Sequence, residues 1–176
     1  MIDMEKLEAA GALILEGIGE TARPDVEETP KRFAKMLAEM LANTGVDVKD
    51  IAAKHGKTFE TSSTSVVVER DIRCFSFCEH HLALMLLDVS IAYRPKGKIL
   101  GLSKLSRIAD AVCRRPQVQE RITKEIADAI AMTTEAEDIA VVVKGRHSCV
   151  EARGIRSTNA WTETRDVRGF LYGCPI

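Results

Sequence analysis

Apolar residues recur at helical spacing near the N-terminus of the chain. The first set comprises Leu7, Ala10, Ile14 and Ile18. This spacing predicts an amphipathic helix over residues 4–19. A second apolar stripe follows Thr29 and Pro30, which are typical of an N-cap and a first helical position. We therefore expect residues 1–60 to form an N-terminal helical region.

The period of the pattern changes after residue 64. Apolar and charged residues alternate over 66–74, which predicts a half-buried strand. The expected inward positions are Val66, Val68, Ile72 and Cys74. Residues 84–93 predict a second strand, Ile139 to Val143 a buried strand, and Trp161 to Leu171 a last strand.

Two helical patterns separate the second and third strands. One runs from about Ser103 to Arg114, and the other begins after Pro116. The order of elements predicts an α+β domain over residues 61–176, with an antiparallel four-stranded sheet and two helices packed on one face. Such a sheet has two open edges, which favours pairing with another chain.

Composition narrows the class of protein. The net charge is −1, which gives no general case for nucleic-acid or membrane-surface binding. The N-terminus is too acidic for a signal peptide, and no apolar run reaches the length of a spanning helix. We therefore expect a cytoplasmic protein whose five cysteines are core residues or metal ligands rather than disulfides.

Two short segments combine cysteine with histidine. Cys78 and His81 form a C-x-x-H pair at the end of a predicted strand, and Cys149 follows a later strand. Thiolate and imidazole are ligands that zinc prefers, which would leave His80 and His147 as proton carriers. On an extended backbone, His147 and Cys149 point to the same face. Inert core cysteines are the alternative that spacing alone leaves open.

Basic and acidic residues suggest a phosphate site and a base site. Ser103 lies where a helix is predicted to begin, and Lys104 and Arg107 follow it, which suits phosphate at a helix N-terminus. Glu120 has the acceptor chemistry to bind a guanine edge, and Arg153 could bind a phosphate bidentately. The alternative is an ordinary N-cap with solvated charges.

Four motifs in order resemble GTP cyclohydrolase I, over about residues 10 to 158. They are CEHH (78–81), GLSKLSRI (101–108), RRPQVQER (114–121) and HSCVEARGIR (147–156). The resemblance implies the tunnelling fold (T-fold), whose sheets join between subunits, and a homodecamer of two pentamers with sites at subunit interfaces. It also implies the substrate GTP and one zinc ion per subunit.

The resemblance implies a role for each matching residue. Cys78, His81 and Cys149 would bind zinc, and His80, His147 and Ser103 would be catalytic. The residues that would bind substrate are Glu120, Lys104, Arg107, Arg153, Arg32 and Lys35. The implied reaction opens the imidazole ring of GTP at C8, releases formate and recloses to 7,8-dihydroneopterin triphosphate, the first step of tetrahydrofolate and pterin synthesis.

The chain departs from the family pattern in two places. Residues 82–88 lack the proline and glycine that usually follow CEHH, so we expect a regular strand with Met85 or Leu87 filling the space. Trp161 and the C-terminal end, residues 169–176, are also unusual. Two other functions stay open on the residues alone: a zinc-stabilised GTP-binding module, and a sister enzyme of the same fold such as a nitrile reductase.

Overall fold

The computed structural model describes residues 2–21 and 23–171. The chain divides into two compact units, Met1–Ala42 and Asn43–Ile176. We expected the boundary near residue 60, but Ile51 and Ala52 are buried in the core of the larger unit. Cys174 and the other residues of 172–176 lie outside the described part of the chain.

The smaller unit contains two helices. They are α1 (Met4–Gly17) and α2 (Thr29–Met40), with a 3-10 turn at Pro24–Val26 between them. They pack closely where α1 carries Gly11, since a Cβ there would lie 3.0 Å from the Cα of Pro30. The predicted N-cap is one residue late: Glu28 is the N-cap, and Thr29 is the first helical residue.

The larger unit contains the sheets. Its strands are β1 (Thr58–Glu60), β2 (Val67–Cys78), β3 (Leu84–Tyr93), β4 (Lys98–Leu100), β5 (Pro116–Gln117), β6 (Ile139–His147) and β7 (Thr162–Arg168). Its helices are α3 (Val48–His55), α4 (Leu102–Cys113), α5 (Gln119–Thr134) and the single turn α6 (Ser148–Glu151). The fold is therefore mixed α+β, as predicted.

The main sheet has the order β5-β2-β3-β6-β7. Strands β2, β3, β6 and β7 are the four antiparallel strands that the sequence predicts, and β3 has the predicted bounds. The prediction missed β5, which adds two residues in parallel to β2, and the separate pair of β1 and β4. It also missed α3.

A β-bulge changes which residues of β2 face the core. The register shifts between Glu69 and Ile72, and Asp71 has a φ of 58°. One extra residue reverses the inward and outward faces of a strand. As a result Val67 packs on the core while Val68 is exposed, contrary to the expected alternation. Beyond the bulge, Ile72 and Cys74 are buried as predicted.

Helices α4 and α5 cover one face of the sheet and form the main core with it. Ile108 and Val112 of α4, and Ile122 and Ile126 of α5, are fully buried. Cys74 and Cys113 are buried in this core as free thiols. Within the described residues, no helix combines the length and apolar character that crossing a membrane requires.

Candidate active site

A tight turn joins β2 to β3 and carries the first candidate residues. The amide of Cys78 donates to the carbonyl of Ala83 at 2.9 Å, and the amide of Leu82 donates to the carbonyl of Cys78 at 2.8 Å. Leu82 closes the turn with a φ of 48°, a conformation that bulky residues rarely adopt. Strand β3 then runs without interruption, and Met85 and Leu87 are both buried, as predicted.

Three ligand side chains meet at this turn. The ligand atoms of Cys78, His81 and Cys149 all lie within 4.8 Å of one another. Nδ1 of His81 is 3.6 Å from Sγ of Cys78, close to the separation of neighbouring ligands in a tetrahedral site with bonds of about 2.0–2.3 Å. Two thiols and one imidazole are also a donor set that zinc prefers. The residues present therefore fit a zinc ion.

Cys149 reaches the cluster by a route that the sequence did not indicate. The strand β6 ends at His147, and Cys149 lies in the helical turn α6. The expected extended backbone from His147 to Cys149 is therefore wrong. Burial and the neighbouring Cys78 thiol raise the pKa of Cys149, while the positive charge of Arg153 opposes this rise. Metal binding must displace that proton.

The two remaining histidines lie beside the cluster in different surroundings. Nδ1 of His80 is 3.9 Å from Sγ of Cys78, and the His80 side chain is 65% exposed. His147 is partly buried at the end of β6, and its Nε2 is 2.7 Å from Oε1 of Gln119. Loss of hydration lowers the pKa of His147, while the charges of Glu120 and Glu151 oppose this decrease.

Sequence reasoning missed Gln119. This glutamine is 2% exposed and opens α5, next to Glu120. Its position in the RRPQVQER motif was a signal, but residue type and spacing do not reveal that a glutamine is buried. The contact with His147 forms only because β6 and α5 pack together.

Glu120 lines an open cleft of about 280 Å³. It lies in the first turn of α5, and its side chain is exposed. The other lining residues are Thr123, Lys124, Thr164, Arg165 and Asp166. The cleft is linked to the candidate catalytic histidine through Gln119, which contacts both the lining residue Thr164 and His147.

The predicted phosphate site, formed by Ser103, Lys104 and Arg107, lies at the end of β2 opposite to Cys78. Helix α4 runs alongside β2 in the same direction. Ser106 donates to Glu69 near the start of the strand, and Cys113 contacts Cys74 further along it. Ser103 precedes Ser106 by almost one turn. Glu69 and Cys78 are nine residue steps apart along the strand, a distance of roughly 25–30 Å at about 3.3 Å per residue. One chain therefore keeps its Ser103 end far from its cysteine–histidine cluster.

The start of α4 also differs from the prediction. Gly101 is the N-cap and Ser103 is the second helical residue, so Ser103 is not the cap. Ser103 and Arg107 are exposed and Lys104 is partly buried. The charges of Lys104 and Arg107 lower the pKa of His55, after the larger effects of burial and Lys54.

The last three predicted residues lie in two parts of the chain. Arg153 follows α6 and is close enough to Cys149 to affect its pKa, so it belongs to the metal end of β2. Arg32 and Lys35 are exposed on α2 in the smaller unit.

Comparison with known proteins indicates one family. The profile of the family described as GTP cyclohydrolase I matches residues 7–172. A GTP cyclohydrolase 1 of Clostridium perfringens is 45% identical over 96% of the chain and 90% of the relative. A GTP cyclohydrolase 1 of Desulforamulus reducens is 44% identical over 97% of the chain and 91% of the relative.

A solved structure shares the fold at low identity. The apo form of an archaeosine synthase QueF-Like superposes with a TM-score of 0.51 at 19% identity. The match covers 61% of this chain and 97% of the archaeosine synthase. At this identity the likeness concerns the fold alone.

Proposed function

Since the chain belongs to the GTP cyclohydrolase I family, we propose that Cys78, His81 and Cys149 hold one catalytic zinc ion per subunit. The activity of the chain is that of a GTP cyclohydrolase. The reaction opens the imidazole ring of GTP at C8, releases C8 as formate and recloses to 7,8-dihydroneopterin triphosphate. The observation that carries the assignment to these residues is the convergence of their three ligand atoms within 4.8 Å.

Two histidines supply the proton transfers. When bound, zinc supplies Lewis-acid chemistry that makes water a nucleophile at neutral pH. His147 donates a proton to N7 of the purine, which makes C8 more electrophilic. His80, which is exposed beside Cys78, acts together with Ser103 of a neighbouring chain in the proton transfers of the later steps. The partial burial of His147 supports its role because it limits exchange with bulk water.

Glu120 selects the base. Its carboxylate accepts hydrogen bonds from N1–H and the 2-amino group of guanine. The open cleft lined by Glu120 and Thr164, which Gln119 links to His147, supports this assignment. Adenine presents an acceptor at N1 and has no 2-amino group, so the same carboxylate would repel it.

A complete site requires more than one chain. The roughly 25–30 Å between Glu69 and Cys78 exceeds the length of one extended GTP molecule. We therefore infer that Lys104 and Arg107 of one subunit bind the triphosphate of a GTP whose base lies at the Cys78 cluster of another. Arg153 binds phosphate from the metal end, and Arg32 and Lys35 complete a neighbouring subunit's site.

This arrangement agrees with a T-fold assembly in which sheets join between subunits. The proposed assembly is a decamer of two pentamers, with the larger unit, Asn43–Ile176, as the catalytic domain. The open edge of β7 in the main sheet supports pairing between chains. A cytoplasmic location is part of the same proposal, because Cys78 and Cys149 must remain reduced to bind metal.

Metal and product measured together test the assignment. The protein is purified without chelator, its zinc is quantified, and it is incubated with GTP while formate and oxidised, fluorescent pterin are followed. Cys149→Ala is expected to lose both zinc and product. Cys113→Ala, which removes a thiol from the core instead, is the matched control and is expected to keep zinc. Zinc retained at full stoichiometry in Cys149→Ala would contradict the ligand set.

His147→Ala tests the proton donor separately from the metal. This variant is expected to keep zinc and lose formate release. Loss of zinc would mean that His147 is a ligand, and full activity would remove it from the mechanism.

A further inference from the structure

We propose that Gln119 is the positioning residue of the site. It holds the Nε2–H of His147 in a hydrogen bond, so that proton exchange with the substrate takes place at Nδ1: the doubly protonated ring donates from Nδ1 and is left neutral with its proton on Nε2. This inference rests on the proposed role of His147, and it adds which ring nitrogen takes part and what determines that choice.

The surroundings of the Gln119 amide decide its orientation. One end of the amide lies 2.9 Å from the carbonyl oxygen of Val143 and 3.0 Å from that of Thr162. Carbonyl oxygens only accept hydrogen bonds, so this end must be the NH₂ group. The other end, Oε1, faces Nε2 of His147 at 2.7 Å and can only accept. Nε2 of His147 must therefore carry the proton.

Two threonines fix the donor and acceptor of each remaining hydrogen bond around Gln119. Thr123 donates its hydroxyl proton to the backbone carbonyl of Gln119 at 3.0 Å. Its oxygen is therefore free only to accept from Thr164, whose hydroxyl lies at 2.5 Å. The hydroxyl oxygen of Thr164 in turn accepts from Nε2 of Gln119 at 3.2 Å. The NH₂ group of Gln119 therefore faces three acceptors, the two carbonyl oxygens and the Thr164 hydroxyl, and the reversed amide would place its oxygen against them.

The fold leaves space for this contact at one glycine. A Cβ on Gly145 would lie 2.1 Å from Oε1 of Gln119 and 2.8 Å from Leu87. Gly145 is buried in β6, two residues before His147. Any side chain there would displace the oxygen that accepts from His147.

The direct test observes the proton. The zinc-loaded protein is labelled with ¹⁵N-histidine, and long-range ¹H–¹⁵N spectra are recorded, with His147→Ala identifying its resonance among the four histidines. We expect a protected Nε2–H proton for His147, and its loss in Gln119→Leu. The matched control is Gln117→Leu, which removes another fully buried glutamine and is expected to keep the signal, because the Gln117 side chain bonds to Val112, Glu125 and Arg121 instead of the imidazole.

Kinetics provide a second readout. Gln119→Leu is expected to lower kcat by roughly 10- to 100-fold with little change in KM or zinc content. Gly145→Ala is expected to reproduce both the kinetic loss and the loss of the Nε2–H signal without altering either partner. Gly17→Ala, at a glycine with open space around it, is the control for the added methyl group.

Distinct results separate this inference from the function on which it rests. A proton on Nδ1 of neutral His147, or unchanged kcat in both Gln119→Leu and Gly145→Ala, would overturn the positioning role of Gln119. Full activity in His147→Ala would instead overturn the proposed proton transfer.

Discussion

Arg121 holds the carboxylate of Glu79 with two hydrogen bonds, of 2.7 and 3.0 Å. Glu79 lies between Cys78 and His80, whereas Arg121 lies on α5. The guanidinium also holds the pKa of the Glu79 carboxyl below its usual range. The pair therefore ties the turn that carries two proposed zinc ligands to a helix of the core.

Removing this ion pair is expected to weaken metal binding. Arg121→Met keeps the aliphatic part of the side chain but frees Glu79, so the turn loses its orientation. Partners of this kind typically contribute about 10- to 100-fold in metal affinity. A competition titration with a chromophoric chelator measures the change. Arg94→Met, which breaks the pair with Asp138 at the other end of β3, is the control. Equal affinities in the two variants would contradict the role of Arg121.

Mixed oligomers test whether two chains share one site. Cys149→Ala removes the metal end, and the double variant Lys104→Ala with Arg107→Ala removes the phosphate end, so each homo-oligomer is expected to be inactive. Co-expression is expected to restore activity in about one quarter of the sites, where an intact end of each kind meets. Formate release from the purified mixture measures this. Were both ends used from the same chain, the mixture would stay inactive.

Base selection is expected to depend on Glu120. Glu120→Gln replaces an acceptor with an amide that presents one acceptor and one donor. Hydrogen bonds to charged groups contribute about 1.5–3 kcal/mol, so kcat/KM for GTP is expected to decrease by roughly 10- to 100-fold. The preference for GTP over ATP in competition decreases with it. Glu137→Gln, at an exposed pair with Lys96, serves as the control. Unchanged discrimination would remove Glu120 from the guanine site.

Leu82 is expected to destabilise the turn in which it lies. Its positive φ brings Cβ close to the backbone, at a cost of roughly 1–2 kcal/mol for residues other than glycine. Because its side chain is 60% exposed, Leu82→Gly loses little packing and is expected to stabilise the protein by up to about 1 kcal/mol. Leu82→Ala keeps the Cβ and is expected to bring no gain. Thermal unfolding of the zinc-loaded variants compares them.

Asp128 links α5 to β7 and gives the stability a pH dependence. Burial alone would raise the pKa of this carboxyl, but hydrogen bonds from Lys124 and Arg168 outweigh it and lower the pKa below 3.8. The contribution is therefore present above pH 3.8 and is lost as the pH falls through the lower, folded-state pKa. Asp128→Asn is expected to cost about 1 kcal/mol at neutral pH.

The difference between the wild type and Asp128→Asn is expected to shrink as the pH falls below 3.8. Thermal unfolding of both proteins across this range measures it. A difference that stays constant with pH would mean that the carboxylate charge does not contribute.

Local sequence determined the elements whose period is unambiguous. Strand β3 has the predicted bounds of residues 84 and 93. Its burial pattern arises from the regular alternation of side chains along an extended strand. The four motifs were also sufficient to indicate the family, and two of the proposed metal ligands, Cys78 and His81, are close in sequence. These properties depend on neighbours within a few residues.

The tertiary structure decided what depends on distant neighbours. The bulge near Asp71 reversed one end of β2, and α6 rather than an extended strand brings Cys149 to the ligand cluster. The contact of Gln119 with His147 requires α5 to pack on β6. The separation of Ser103 from Cys78 requires α4 to run alongside β2. Hydrogen-bond direction and distance across a sheet arise only when the segments pack, so residue type and spacing do not contain them.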